Sequence, residues 1–286
     1  MDDRPIGVFD SGLGGLTIVR ALADLLPDEH LVYFGDTGRF PYGSKSPQQL
    51  RRFSGEIVDL LLAHDVKMVV VACNSAASAA LDHLRDRYER PIVGVVEPGV
   101  RAALDVTDGK VGVIGTEATI ASGAYERAFA ELRADVELVP VACPGFVELV
   151  ESGDVGSTDA YGVVAPRLAP LRVAGVDTLI LGCTHYPHLA RVIGDVMGRD
   201  VVLVSSAEET AFEIRALLGR TGTGRRPGGD PARRLFLTSG DEATFRALGD
   251  RFLGPAMGLV HGWRWPPIVH ADLPAEGASD AARRAG

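Results

Sequence analysis

Two short segments, residues 69–75 (VVVACNS) and 179–185 (LILGCTH), each carry an apolar run into a cysteine followed by small polar residues. The first supplies Cys73, Asn74 and Ser75, the second Cys183, Thr184 and His185. A thiol is an acid and its thiolate a base, so two thiols delivered from matching positions can remove a proton from one face of a carbon atom and return one to the other. Each cysteine stands where an apolar run gives way to a helix-period segment. Free amides and the helix dipole at such a start are expected to bring a thiol pKa from about 8.5 into the range of roughly 3.5 to 7.5. Cys143, in VACPG, reads instead as an inert buried thiol.

Other polar groups fall at similar strand ends. Asp10 and Ser11 close the first apolar run, and His185 follows Cys183 by two residues. Asp10 or His185 could orient a thiol or exchange a proton with it, help of about 10² to 10⁴ in rate. Residues 35–37, Glu97 and Thr116 also end apolar runs, and for 35–37 and Glu97 an ordinary polar turn is an equal reading. The turn DSGLGG at 10–15 lacks both G-x-G-x-x-G spacing and a G-K-[ST] ending, so its glycines are expected to let the backbone turn tightly and approach a small anion. Tyr42 and Gly43, after Pro41, make a second turn of this kind. Glu151, within VELVESG, reads on the residues alone as part of a solvated helix end.

No metal or cofactor is expected. Cys183, His185 and His188 match no usual zinc spacing, and the chain has no C-x-x-C. Lys67 and Lys110 precede apolar runs, the wrong strand end for a lysine-bound cofactor in an open α/β sheet, and only Lys45 leaves that chemistry open.

The elements that must position these groups are short apolar runs alternating with helix-period segments, the pattern of an α/β fold with mainly parallel sheets flanked by helices. Strands are expected over 6–9, 31–34, 68–72, 92–96, 111–114, 136–140, 178–181, 201–204 and 235–238. Helices are expected over 16–26, 48–63, 75–88, 123–132, 163–172, 188–197, 207–218 and 241–252. Laid against itself, the chain repeats weakly: IGVFDS at 6–11 resembles VGVIGT at 111–116, PIVGVVE at 91–97 resembles DVVLVS at 200–205, and the cysteine segments recur in the same order. Two α/β halves related by a pseudo-twofold axis would each offer one cysteine from an equivalent place. Residues 219–234 (GRTGTGRRPGGDPARR) read as an exposed insertion, and the stretch from Asp272 onward as a disordered tail.

With 46% hydrophobic and 23% charged residues, the chain has the composition of a soluble globular protein. A net charge of −9 speaks against a nucleic-acid partner. The start lacks a signal peptide and no apolar run approaches the roughly 20 residues of a membrane span, so a cytoplasmic protein with no membrane partner is expected.

Four motifs, DSGLGGL (10–16), GDTGRFPYG (35–43), ACNSA (72–76) and GCTHYP (182–187), resemble in sequence and order those of the glutamate racemases, within the cofactor-independent aspartate/glutamate racemase superfamily. The resemblance runs from residue 6 to about 257. It implies two pseudosymmetric α/β domains with the active site in the cleft between them, residues 1–97 with 210–270 forming the first and 98–209 the second, and 271–286 left as a tail. It implies that Cys73 and Cys183 are the paired acid/base groups, assisted by Asp10, His185 and Glu151. Substrate contacts would fall on Asp10, Ser11, Tyr42, Gly43, Asn74, Ser75, Thr116, Thr119, Thr184 and His185. Ser75 stands where many relatives carry threonine and keeps the hydroxyl. The implied activity interconverts L- and D-glutamate without a cofactor, in a homodimer that supplies D-glutamate to the bacterial cell wall. Another amino-acid racemase on this fold, or a binding protein that kept the cleft, are the alternatives.

Overall fold

The computed structural model describes residues 1–132, 135–254 and 257–265. Its strands are β1 (Ile6–Asp10), β2 (Leu31–Gly35), β3 (Met68–Val71), β4 (Ile92–Gly94), β5 (Lys110–Gly115), β6 (Glu137–Ala142), β7 (Thr178–Gly182), β8 (Val202–Val204), β9 (Arg234–Thr238) and β10 (Val260–Gly262). They form one sheet in the order β10-β9-β2-β1-β3-β4 and another in the order β6-β5-β7-β8. Every pairing is parallel. The central strands β1, β2, β3 and β7 are buried throughout, because helices cover both faces of each sheet. That double burial is why they read as unbroken apolar runs, whereas the edge strand β6 is half-exposed.

The order β2-β1-β3-β4 is repeated by β6-β5-β7-β8. All three sequence matches fall on strands that correspond under this repeat: β1 with β5, β3 with β7, β4 with β8. Cys73 follows β3 and Cys183 follows β7, so the two thiols occupy equivalent topological positions. The chain then returns to the first sheet, where β9 pairs with β2 and β10 with β9.

Local chemistry sets the helix starts. Ser46 and Gln49 form a reciprocal capping box on Pro47–Ala63, and the Thr116 hydroxyl accepts from the Thr119 amide at the start of Glu117–Ala121. Four elements depart from the sequence expectation. β4 ends at Gly94, two residues short of the expected 92–96, and a helix, Val96–Leu104, follows where none was expected. Pro98 lies in the first turn, where its missing N–H has no intrahelical partner to lose. The short helices Glu117–Ala121 and Phe146–Ser152 and the edge strand β10 are too brief to show a period.

The 219–234 segment is less free than expected. Its Arg225 donates from the backbone N–H to Glu29 at 2.8 Å and from the guanidinium to the Asp28 carbonyl at 2.9 Å. Lys67 links the same region, bonding Glu29 at 2.6 Å and the Thr223 carbonyl at 2.9 Å. Lys110 is likewise tied to the Ala174 carbonyl, at 2.9 Å. The expected tail, 271–286, lies outside the described residues. Among those described, no helix is long and apolar enough to cross a membrane.

Candidate active site

The carboxyl ends of β1, β3, β5 and β7 open onto one cleft between the two sheets, where a parallel α/β fold presents its ligand-binding loops. Ser11, Cys73, Asn74 and Ser75 line it from the first sheet, and Thr116, Cys183, Thr184 and His185 from the second. Tyr42 and Gly43 also line it. Asp10, Thr119 and Glu151 stand behind this layer and act on it through hydrogen bonds.

Asp10 is fully buried and accepts from the Gly12 amide at 2.9 Å and the Thr184 hydroxyl at 3.1 Å. Burial pushes its pKa up, opposed by the positive charge of His185 and by these donors. Cys73 caps the helix Asn74–Arg87, as expected. Its pKa, however, moves opposite to the helix-start expectation: burial, with the Asp10 carboxylate adding to it, pushes the thiol up to about 12 despite hydrogen bonds from the Ala76 amide and Ser11 hydroxyl. A dipole from one helix does not offset full desolvation beside an anion.

Cys183 differs from its counterpart. A 3-10 turn, Tyr186–Leu189, follows it, and the helix Ala190–Met197 begins only afterwards, so Cys183 is not a helix cap. Its sulfur instead lies 3.9 Å from Nδ1 of His185, whose Nε2 lies 2.9 Å from Oε1 of Glu151. Burial opposes a charge on His185, but hydrogen bonds to Cys183 and Glu151 and the nearby negative charges outweigh it and push the pKa up to about 10. The shift favours the protonated imidazole, which has a ring N–H for each neighbour. Glu151, read on residues alone as a solvated helix end, is instead hydrogen-bonded to His185 at the cleft.

The hydroxyls of Ser75, Thr116 and Thr119 form a cluster spanning the two halves, with Ser75 to Thr116 at 2.8 Å and Thr116 to Thr119 at 3.0 Å. Asn74 Oδ1 accepts from the Tyr125 hydroxyl at 2.9 Å, and its buried Nδ2 has no partner among the described residues. This leaves an unpaired amide donor on a residue that lines the cleft. Tyr42 turns its hydroxyl away, onto buried Asp36.

The glycines of the 10–15 turn are not among the residues that line the cleft. Only Ser11 of that turn lines the cleft. A Cβ on Gly14 would fall 2.3 Å from Thr184 Oγ1 and 2.6 Å from His185 Nδ1, so the missing side chain makes room for the second half of the site.

Sequence reasoning left Asp36 open between a site residue and an ordinary polar turn, and it missed the cleft-lining positions of Phe40 and Cys143. Asp36 and Cys143 each lie one residue beyond corresponding strand ends, since Asp10 pairs with Gly35 and Gly115 with Ala142; the repeat carried that signal. Burial pushes the Cys143 thiol up to about 12. Glu97 is outside the cleft, paired with Arg85 at 2.9 Å. His188 lies edge-on to Phe252, with ring centroids 4.3 Å apart. Among the described residues no group of three or more His, Cys, Asp or Glu side chains is placed to hold a metal ion.

The Asp/Glu/Hydantoin racemase family model matches residues 16–213. A glutamate racemase of Parafrankia sp. (strain EAN1pec) is 52% identical over 261 residues, covering 91% of this chain and 94% of that one. Among solved structures, glutamate racemase isoform RacE1 from Bacillus anthracis superposes with a TM-score of 0.87 at 38% identity, covering 93% of this chain and 99% of that one. Glutamate racemase from Francisella tularensis, solved in complex with D-glutamate, gives a TM-score of 0.86 at 32% identity, covering 92% and 98%. On this likeness along nearly its whole length, the chain belongs to the Asp/Glu/Hydantoin racemase family and, within it, to the glutamate racemases.

Proposed function

We propose that this protein interconverts L- and D-glutamate by two-base proton transfer between Cys73 and Cys183. The observation that carries the reading is that two thiols, set at equivalent strand ends of a repeated α/β unit, line one cleft. A thiolate on one face removes the α-proton while the opposite thiol delivers one, so inversion needs no rotation of the substrate. The roles exchange when the direction reverses. High pKa keeps Cys73 a thiol in the substrate-free protein, ready to donate, while cationic His185 places positive charge beside the Cys183 sulfur. Asp10 is the corresponding neighbour of Cys73.

Positioning and preorganised charge take the place of an electron sink. The free Asn74 amide, with the hydroxyls of Ser11, Ser75, Thr116 and Thr184, provides donors for the substrate carboxylates. Glutamate as substrate rests on the named relatives and on the D-glutamate complex of one of them. Residues 1–97 with 210–270 act as one domain and 98–209 as the other, in a cytoplasmic homodimer. The bacterial relatives support a role supplying D-glutamate for peptidoglycan, and through it for cell shape.

The test is proton NMR of L-glutamate with the protein in deuterated water, followed by chiral analysis. Loss of the α-proton signal with accumulation of D-glutamate is expected. Exchange on aspartate but not glutamate would keep the chemistry and change the substrate. No exchange on any amino acid would leave a binding protein.

A further inference from the structure

Four donors converge on the carboxylate of Asp36, a fully buried residue outside the two-thiol chemistry. Oδ1 accepts from the Ser239 hydroxyl at 2.7 Å and from the Trp265 indole N–H at 3.1 Å. Oδ2 accepts from Nε of Arg39 at 2.6 Å and from the Tyr42 hydroxyl. A buried carboxylate satisfied on both oxygens by charge-assisted bonds fixes its donors relative to one another.

The donors come from two separate parts of the chain. Arg39 and Tyr42 belong to the 36–43 loop after β2, whereas Ser239 follows β9 and Trp265 follows β10. Further contacts join the same pieces. The Ser239 hydroxyl accepts from the Gly38 amide at 2.9 Å, the Thr37 and Thr238 hydroxyls lie 2.7 Å apart, and the Arg39 guanidinium stands 3.9 Å from the Trp265 ring centroid. On its other side the loop reaches the cleft. Phe40 lies 6.0 Å from the His185 ring, ring centroid to centroid, and the Gly43 carbonyl accepts from the Ala118 amide at 3.1 Å, across the cleft.

We infer that the C-terminal return is a latch on the substrate-binding loop: Trp265 and Ser239, acting through Asp36, hold residues 36–43 in the position that shapes the cleft wall. Asp36 is a positioning residue. Both its oxygens are occupied by donors and it does not line the cleft, so it has no acid/base part of its own. This inference rests on the racemase reading, since the effect it predicts is on glutamate binding.

The experiment is steady-state kinetics in both directions for wild type, W265F, S239A, D36N and D36N/W265F. Trp265→Phe keeps an aromatic ring beside Arg39 and deletes only the indole donor. Ser239→Ala deletes the other donor to the same oxygen and gives the answer independently if the first variant folds poorly. Each is expected to raise KM for both enantiomers about five- to tenfold, less than the full worth of one charge-assisted hydrogen bond because the other donors still hold the loop, with kcat changed by less than about twofold. D36N should raise KM at least as far, and adding W265F to D36N should change nothing further, because both act through one carboxylate. Unchanged KM in W265F and S239A, even with a lowered Tm, overturns the latch. So does a KM effect that multiplies in the double variant. A wild-type protein that fails to racemise glutamate overturns the racemase reading instead.

Discussion

Asp10 and Thr184, from the strand ends of different sheets, share a 3.1 Å hydrogen bond that joins the charged neighbour of Cys73 to the residue after Cys183. The two thiols thus sit in one electrostatic unit with unlike companions. Burial and then the Asp10 carboxylate raise the pKa of Cys73, whereas His185, hydrogen-bonded to Glu151, lies 3.9 Å from the Cys183 sulfur. The two faces of the cleft are matched in topology and unmatched in charge.

This asymmetry predicts how Asp10→Asn and His185→Asn behave. The enantiomers have equal free energy, so kcat/KM must be the same in both directions for every variant. Unequal companions can therefore appear only in kcat and KM separately. Both variants should lose about 10² to 10⁴ in kcat/KM, with the ratio of the two kcat values displaced in opposite senses. Full progress curves started from pure L- and pure D-glutamate measure this. Displacement in the same sense would make both residues binding groups.

Cys73→Ala and Cys183→Ala should each abolish inversion while leaving one face of the cleft able to exchange. The remaining thiolate can remove the α-proton of one enantiomer and return a solvent-derived one to the same face. In deuterated water each variant should wash deuterium into a single enantiomer, the opposite one for each variant, without net racemisation. Inversion at wild-type rate in either variant would remove the two-base reading.

The sequence made the repeat, the thiol pair and half of the cleft wall legible, because a doubly covered parallel strand is an unbroken apolar run that ends abruptly in polar residues. Glu151 was not legible as part of the site from its own surroundings, since VELVESG looks like any amphipathic turn and its partner His185 lies in another motif. Asp36 was ambiguous for a related reason: Ser239 and Trp265, which satisfy it, are remote in sequence. The direction of the Cys73 shift was misread because a helix start is a local signal, whereas burial and the neighbouring Asp10 are products of tertiary packing. β10 escaped because three residues at a sheet edge need no apolar alternation.

Two histidines predict opposite pH signatures in stability. His185 is pushed up to about 10 from its ordinary 6.5, so the folded state holds its proton more tightly than the unfolded chain. Its contribution is fully present below pH 6.5 and is lost as the pH rises through 10. His188 is pushed down to about 4, chiefly by burial and then by the positive charges of His185 and Arg20. Its contribution is present above pH 6.5 and lost as the pH falls toward 4. Melting curves across pH for wild type, H185Q and H188Q should show the first gap closing on the alkaline side and a flatter acid limb for the last. A wild-type to H185Q gap that widens with rising pH would mean that His185 is not cationic.

Gly14 yields the most local prediction. Its backbone does not need a positive φ, so an alanine there is opposed by space alone. The new Cβ would lie 2.3 Å from Thr184 Oγ1 and 2.6 Å from His185 Nδ1, which must move together with the Asp10 and Glu151 contacts they make. Overpacking of this kind costs about 1 to 3 kcal/mol, and the displaced imidazole no longer faces Cys183. Gly162, inside the helix Thr158–Ala174, has nothing within 4 Å of its added Cβ and serves as the control. G162A should keep full activity and gain about 0.5 to 1 kcal/mol from helix propensity, whereas G14A should lose both Tm and most of kcat. Wild-type kcat in G14A would show that the two halves of the site can separate without disturbing the proton transfer.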